Sequence, residues 1–188
     1  FNKKYLRRYR TARKKSIHLN YKELDTEYLK DNSKAIFRLY ETVSDNARVN
    51  SFKLQEQHFF QLKVQLKDDF KVIGVFLNKE LVGFYTLILN NKTLETYFLG
   101  YNKGLQPQYQ MYLNMLFNMV SFGIENGFKR IVYARTAMEI KSSIGAKPQT
   151  MYIYLKHTNN FIANTVLKCI VKYMNPMRKW EERRPFDN

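Results

Sequence analysis

One stretch, residues 127–147, constrains the fold more than any other part of the chain. A glycine follows a long apolar-periodic segment, and then come the β-rich run Ile131-Val132-Tyr133 and a turn with charged residues. Gly127 fits the position just after a helix, because glycine adopts left-handed backbone angles without a Cβ clash. The β-rich run is too short for a helix. The stretch therefore predicts a helix end, a short buried strand, a sharp turn and a second short helix.

Charged side chains follow the predicted strand directly. Arg135 comes where that strand ends, and Glu139 and Lys141 lie within the next six residues. Ligands bind beyond the carboxyl ends of strands in open α/β sheets, so these three residues are candidate site residues. Thr136 and Glu139 also have the spacing of a capping box, which predicts that Glu139 only caps a helix over residues 137–144.

Hydrophobic periodicity predicts the elements on the amino-terminal side of this stretch. We expect helices over residues 1–15, 25–45, 55–66 and 107–126, and strands over residues 16–21, 70–77, 81–89 and 93–101. The last three strands form an antiparallel meander. The strand–helix–strand unit over residues 93–133 should be right-handed and place its two strands parallel. Together these elements predict a mixed α/β fold with a central mixed sheet and helices on both faces.

Two more elements are expected towards the carboxyl end. Residues 150–155 predict a last strand, and residues 159–175 predict a final helix that packs an apolar stripe on the core. The inward residues of that helix would be Ile162, Val166, Cys169, Ile170 and Tyr173. The basic tail that follows is either a flexible end or a strap over the core held by Trp180 and Phe186.

The excess of positive charge indicates which kinds of partner the protein could bind. The 188 residues carry 32 Lys and Arg against 16 Asp and Glu, a formal net charge of +16. Such a charge attracts nucleic acid, anionic lipid or a phosphorylated cofactor, or it serves only solubility. Basic and aromatic residues interleave over residues 1–15, as on surfaces that contact phosphates and stack on bases. An amphipathic helix with a basic solvated face has the same pattern, so both interpretations stay open.

Several classes of site are excluded. The single cysteine, Cys169, rules out an internal disulfide and a cysteine-based zinc site, and its apolar neighbours predict a buried thiol. The three histidines, His18, His58 and His157, lie in separate elements, so we expect no metal site. No apolar run reaches the roughly 18 residues that span a membrane, and no signal peptide is evident, so we expect a cytoplasmic protein.

The predicted order of elements resembles the acyl-CoA N-acyltransferase (GNAT) superfamily, whose sheet splays between its fourth and fifth strands. Here those strands would be residues 93–101 and 129–134, and the splay would admit the donor's pantetheine arm. Two stretches resemble Fem-like aminoacyl and peptidoglycan-bridge transferases and related bacterial acyltransferases: residues 4–10 (KYLRRYR) and 135–141 (RTAMEIK). Fem-type proteins usually carry two such halves. The resemblance thus implies one GNAT-like domain over residues 1–188, with a first half expected elsewhere in a longer protein.

The resemblance implies an N-acyltransferase that moves an acyl or aminoacyl group from acyl-CoA or aminoacyl-tRNA to an amine acceptor, without a metal. GNAT enzymes usually carry a glycine-rich phosphate-binding pattern after the fourth strand. Residues 103–108 (KGLQPQ) have one glycine there, and Pro107 lacks an amide donor. Fem-type members lack the same pattern and use aminoacyl-tRNA. The candidates for cofactor contact at this end are Tyr101, Lys103 and Gly104.

Acyl transfer needs a deprotonated amine, a polarised carbonyl and a proton for the leaving group. Glu95 is a carboxylate in an apolar strand. Such a group lies near the edge of the sheet, forms an ion pair, or takes part in catalysis or ligand binding. We therefore expect Glu95 to act as the base or to orient the amine. Arg135 would hold a carboxylate or phosphate with two parallel hydrogen bonds, and Lys141 would neutralise charge on the donor or acceptor. Tyr97 or Tyr101 would protonate the leaving group.

A second interpretation stays open beside the enzyme. The same fold would serve as a non-catalytic module that binds nucleic acid or an anionic membrane surface through its basic first helix. Binding would then fall steeply as salt rises. Independently of this interpretation, Arg135 and Lys141 would also suit ordinary ion pairs with Glu139 or Glu95.

Overall fold

A five-stranded mixed sheet forms the centre of the fold. The computed structural model describes residues 1–45, 53–134, 136–152, 154, 156–158, 161–174 and 180–186. The strands lie side by side in sequence order: β1 (Leu19–Glu23), β2 (Phe70–Leu77), β3 (Glu80–Asn90), β4 (Thr93–Tyr101) and β5 (Arg130–Val132). β1 to β4 are antiparallel neighbours, and β5 runs parallel to β4. The predicted meander and the parallel strand pair are confirmed.

Helices cover both faces of the sheet. They are α1 (Lys3–Lys15), α2 (Thr26–Asp31), α3 (Ser33–Ser44), α4 (His58–Leu66), α5 (Gln106–Tyr109), α6 (Met111–Glu125), α7 (Met138–Ser142) and α8 (Phe161–Met174). On one face, which we call the α3/α4 face, Ile36 and Phe59 pack with Phe84 of β3. On the other, the α1/α6 face, Ala12 and Met115 pack with Leu87. The alternation of Phe84 and Leu87 in β3 follows from the two-residue period of a strand.

Two predicted helices are broken, and side chains explain both breaks. The helix expected over residues 25–45 is α2 and α3, separated at Asn32, whose side-chain amide donates to the Tyr28 carbonyl at 3.0 Å. The helix expected after Pro107 is α5 and α6, separated by Gln110 in a left-handed conformation with φ 47°. The Gln106 side chain accepts from the Tyr112 amide at 2.9 Å, so it satisfies a donor at the new helix start.

The predicted capping box at α7 is wrong. Ala137, with φ 54°, precedes the helix, and no side chain of the described residues caps it. Because this left-handed residue separates Thr136 from Met138, the threonine does not occupy the N-cap position. The Glu139 carboxylate instead accepts from the Glu181 amide at 3.4 Å and lies 3.8 Å from the Arg183 guanidinium.

In the described residues, the last predicted strand does not form and the predicted packing of the final helix is wrong. Residues 153, 155, 159, 160 and 175 of these two predictions lie outside the described residues. Residues 150–152 and 154 are not in a strand, and Met151, Tyr152 and Tyr154 are exposed. α8 forms, but the apolar side chains expected to point inward are exposed, and so is the Cys169 thiol. Other helices already cover both sheet faces, and neither apolar layer contains a described residue of α8.

Residues 180–186 form a strap across α7 and the start of α1. A strap was one of the two predicted arrangements of this tail. The Arg183 amide donates to the Ser142 hydroxyl at 2.9 Å, and the Asn2 amide donates to the Pro185 carbonyl at 2.8 Å. The Phe186 ring stacks on Phe1, with centroids 5.1 Å apart. In the part of the chain that the structure describes, no helix is long and apolar enough to cross a membrane.

Candidate functional site

The sheet opens between β4 and β5. In the part of the chain that the structure describes, the two strands pair only through Thr93–Glu95 of β4 and Arg130–Val132 of β5. The Thr96 hydroxyl adds one link, donating to the Val132 carbonyl at 3.0 Å. Beyond that point, no strand among the described residues pairs with β4 on this side. We call the space between residues 97–101 of β4 and the end of β5 the β4/β5 opening.

β4 carries a bulge where the opening begins. Its pairing with β3 shifts register between Tyr85 and Leu87, where β4 contains one residue more than β3. The Thr86 hydroxyl holds the bulge, because it donates to the Phe98 carbonyl and accepts from the Phe98 amide, both at 2.8 Å. Bulges bend a strand, re-aim its side chains and are common beside active sites. This one marks the start of the exposed β4 edge.

Glu95 and Tyr97 lie on the α3/α4 face of β4. Glu95 pairs across the sheet with Ile88, which belongs to the apolar layer of that face, and paired residues point to the same side. The Glu95 carboxylate accepts from the Asn90 side-chain amide at 3.1 Å. The Tyr97 ring contacts Phe98 and Phe70 of the same layer, at centroid distances of 4.5 and 6.4 Å. The predicted base and the predicted proton donor therefore share one face.

Tyr97 has a partner that the sequence did not reveal. The His58 Nε2 lies 3.1 Å from the Tyr97 hydroxyl, and the two rings are 5.9 Å apart. Burial lowers the pKa of His58, and burial raises the pKa of Tyr97. Near neutral pH the imidazole is therefore uncharged, and it shares one hydrogen bond with the phenol whose direction depends on the imidazole tautomer. Because 39 residues separate the two in sequence, no local pattern could have predicted the pair.

Lys141 lies at the end of β5. Its side chain is only 7% exposed, and its amine donates to the carbonyl of Tyr133, the residue directly after β5. The Tyr133 hydroxyl in turn donates to the Leu116 carbonyl of α6 at 3.3 Å. Burial lowers the pKa of Lys141 to about 8. A fraction of this amine is therefore uncharged at neutral pH, unlike an exposed lysine.

Tyr101 lies on the other face of β4 from Tyr97. It pairs with Gly83, which contacts α6, and its ring is 6.2 Å from that of Tyr112. Burial raises the pKa of Tyr101, and burial raises the pKa of Tyr112 to about 12. Both phenols therefore stay protonated at neutral pH and can donate hydrogen bonds at this end of the opening.

Amide donors in the segment after β4 are bonded to side chains of the same segment. Lys103 and Gly104 lie in a short 3-10 turn and are exposed. The Gly104 amide donates to the Asn102 side chain at 2.9 Å, just as the Tyr112 amide at the start of α6 donates to Gln106. A phosphate that binds at the Gly104 or Tyr112 amide would therefore displace a protein acceptor.

The predicted residues thus lie around the opening rather than at one point. Glu95 and Tyr97 lie on one face of β4, Tyr101 on the other, and Lys141 across the opening at the end of β5. Arg135 lies outside the described residues. Within the described ranges, no three histidine, cysteine or carboxylate side chains are grouped to hold a metal ion.

Comparison with known proteins gives the fold. No protein-family model and no curated protein matches the sequence. A possible acetyltransferase from Clostridium difficile 630 superposes with a TM-score of 0.55 at 11% identity, over 76% of this chain and 99% of that one. An aminoglycoside acetyltransferase from an uncultured soil metagenomic sample gives 0.54 at 19% identity, over 75% and 97%. Glucosamine-6-phosphate N-acetyltransferase from Arabidopsis thaliana gives 0.53 at 8% identity, over 74% and 99%. These similarities confirm the GNAT-like α/β fold.

Proposed function

We propose that this protein is an N-acyltransferase that moves an acyl group from an acyl-CoA donor to an amine acceptor. The observation that carries the proposal is the β4/β5 opening, which begins at a bulge and leaves one edge of β4 without a strand partner in the described chain. Proteins of the same fold are named as an aminoglycoside acetyltransferase and a glucosamine-6-phosphate N-acetyltransferase. We propose that residues 1–188 act as one domain.

An exposed strand edge suits an extended donor. The backbone groups of residues 97–101 on the open side can pair with the amides of a pantetheine arm, as an added strand would. The arm would then run from the bulge towards Tyr101, and its thioester would lie near Tyr97. Lys103 and Gly104 follow β4 directly, so they are the proposed contacts for the arm's far end.

The residues around the opening can supply the proton transfers. The acceptor amine attacks the thioester carbonyl, a C–N bond forms, the C–S bond breaks, and the amine proton must leave. We propose that Glu95 orients the amine or accepts that proton and that Tyr97 donates a proton to the thiolate. His58 acts as a positioning residue that holds the Tyr97 hydroxyl. Arg135 and Lys141 are proposed to neutralise charge on the reactants.

The donor can be tested directly. Purified protein would be incubated with acetyl-CoA and a panel of aminoglycosides, amino sugars and peptides, with released thiol measured by a chromogenic reagent and products by mass spectrometry. Because the Cys169 thiol is exposed and reacts with such reagents, Cys169→Ser is the background control. We expect acceptor-dependent thiol release with an acetylated product. Absence of CoA binding by calorimetry would refute the acyl-CoA assignment.

Aminoacyl-tRNA is the alternative donor, and the Fem-like stretches of the sequence favour it. The amide donors after β4 are already bonded within the protein, which gives a pyrophosphate few backbone partners there. Transfer of a labelled amino acid from charged tRNA to the same acceptor panel would support this donor. A protein active with acetyl-CoA and inactive with charged tRNA would exclude it.

A second candidate function rests on the exposed charge of α1. This helix carries eight basic and no acidic residues, and all of its cations except Arg13 are exposed. We propose, as the alternative to catalysis, that it binds nucleic acid or an anionic membrane surface. Such binding should weaken steeply with salt. Affinity for RNA and for anionic vesicles that is unchanged between about 50 and 200 mM salt would reject it.

A further inference from the structure

A groove runs along β1, at the other side of the sheet from the β4/β5 opening. β1 and β4 are separated by β2 and β3, which places them about 14 Å apart. The groove has a volume of about 460 Å³, which is the space of about fifteen water molecules. Among the residues that line it are His18, Asn20, Lys22, Tyr28, Phe76 and Lys79. We call this space the β1 groove.

The β1 groove lies on the α3/α4 face of the sheet. Asn20 pairs with Phe76 and Lys22 pairs with Gly74, and Phe76 packs against the apolar layer of that face. Paired residues point to the same side, so alternate side chains of β1 enter the groove. The Tyr28 ring of α2 meets the Phe76 ring edge to face, with centroids 6.2 Å apart. The groove therefore has an aromatic floor beside the polar side chains of β1.

The outer edge of β1 has free backbone groups. The Leu24 amide, just after β1, donates to the Val72 carbonyl of β2 at 2.8 Å. Backbone groups alternate between the partner strand and the opposite edge, so those of Tyr21 and Glu23 point away from β2. Leu19 has the same orientation, and its amide bonds to the turn that precedes β1. Among the described residues, no backbone carbonyl accepts from the Tyr21 or Glu23 amide, so this edge is open to an added strand.

The carboxylates of the groove are already engaged within the protein. The Glu23 carboxylate lies 3.2 Å from the Lys63 amine and 3.1 Å from the Lys71 amine. The Asp25 carboxylate accepts from the Tyr28 amide at 2.8 Å, so it caps the start of α2. These two groups therefore leave little negative charge available to a ligand.

The cations of the groove are in the opposite situation. Lys22 and Lys79 are exposed, and the described residues give neither amine a carboxylate within 4 Å. A second copy of the chain at this edge would bring the same cations together, and the net charge of +16 on each copy opposes that contact. Charge complementarity therefore favours an acidic partner.

We propose that β1 and its groove bind an extended acidic segment of a partner protein. The segment lies beside β1 as an added strand, bonds to the backbone of Tyr21 and Glu23, and directs every second side chain into the groove. Cross-strand neighbours have Cβ atoms about 5 Å apart, so an aspartate or glutamate opposite Lys22 reaches its amine. The inference does not depend on acyl transfer, because the groove and the β4/β5 opening lie on different edges.

The first test follows backbone amides of the full chain by nuclear magnetic resonance. The probe is a pool of short acetylated peptides with glutamate or aspartate at every second position, and a matched pool has lysine or arginine there. We expect the acidic pool to bind, and its best binder to slow hydrogen exchange of the Tyr21 and Glu23 amides. The Asn20 and Lys22 amides face β2, so their exchange rates should stay unchanged.

The second test compares substitutions and modified peptides. Lys22→Gln/Lys79→Gln removes the groove cations, and Lys92→Gln/Lys129→Gln removes the same charge at exposed lysines outside the groove. The groove pair should weaken binding of the acidic peptide about fivefold or more, and the control pair less than about twofold. Methylating the odd or the even amides of the peptide should abolish binding in only one case, because only one set faces β1.

Several results would overturn the proposal. Failure of the acidic pool to bind, or equal binding of the basic pool, removes the acidic partner. Equal weakening by both pairs of substitutions assigns the binding to net charge, and full binding of both methylated peptides removes the added strand. If the protein sediments as a dimer with the Tyr21 and Glu23 amides already protected, the edge binds a second copy instead. Protection of these amides by oligouridine and not by the acidic peptide would assign the groove to nucleic acid.

Discussion

Replacing the buried Lys141 with methionine should change how stability depends on pH. The folded protein lowers the pKa of this amine from 10.5 to about 8, because the side chain is removed from water. The folded state therefore prefers the uncharged amine, whereas the unfolded chain keeps it protonated up to about pH 10.5. Between these two values the unfolded state binds more protons, so the free energy of unfolding rises with pH.

The size of this effect follows from the shift in pKa. Each pKa unit corresponds to about 1.4 kcal/mol, so the stability of the wild type should gain about 3 kcal/mol from this group between pH 8 and 10.5. Well below pH 8 the amine is almost fully charged in both states, and its contribution is nearly constant. In Lys141→Met the contribution is absent, and the lost hydrogen bond to the Tyr133 carbonyl costs about 1 kcal/mol at every pH.

Urea unfolding of both proteins at several pH values from 7 to 10.5 would measure the difference. Other groups also titrate in this range, so the readout is the wild-type stability minus that of the variant, which should rise by about 3 kcal/mol. Lys147→Met is the matched control, because it makes the same substitution at an exposed lysine. If the free energy of unfolding changes equally with pH in the wild type and in Lys141→Met, the Lys141 amine does not have a lowered pKa in the folded protein.

Four further substitutions test the opening and its support. A Cβ at Gly100 would lie 2.4 Å from the α3 backbone, so Gly100→Ala should lower the free energy of unfolding by about 3 kcal/mol. The control Gly104→Ala, at an exposed glycine, should change it little, and thermal unfolding would compare the two variants. Thr86→Val should cost about 2 kcal/mol in urea unfolding, because both backbone groups of the bulge lose their partner. Tyr97→Phe should lower kcat by about 100-fold with little change in stability, and unchanged turnover would exclude it as the proton donor. Activity should fall as pH drops through the lowered pKa of His58, and His58→Gln should remove that fall from the pH profile.

The strands could be predicted because their signals are local. The apolar runs and the turns between them follow one another within residues 70–101, and all three predicted strands formed within one residue of their expected bounds. The inward face of α1 was also predictable, since Tyr5 and Ala12 recur at helical spacing and are buried. The breaks at Asn32 and Gln110 were not, because periodicity continues through both.

The failures towards the carboxyl end have a different cause. The stripe of α8 has the same periodicity as a core helix, but periodicity shows only that a helix has an apolar side. Whether that side is buried depends on which other helices already cover the sheet. Glu139 likewise had the spacing of a cap, yet its partners Glu181 and Arg183 are more than 40 residues away.

The sequence by itself determined the strands of the meander, the basic surface of α1 and the residue types available for acyl transfer. Only the tertiary structure decided that Glu95 and Tyr97 share a face, that His58 holds the Tyr97 hydroxyl and that Lys141 is buried at the end of β5. Strand and helix formation depend on neighbours a few residues away. Burial, pKa and side-chain pairing depend on segments that meet only after folding, and the candidate site is built from those.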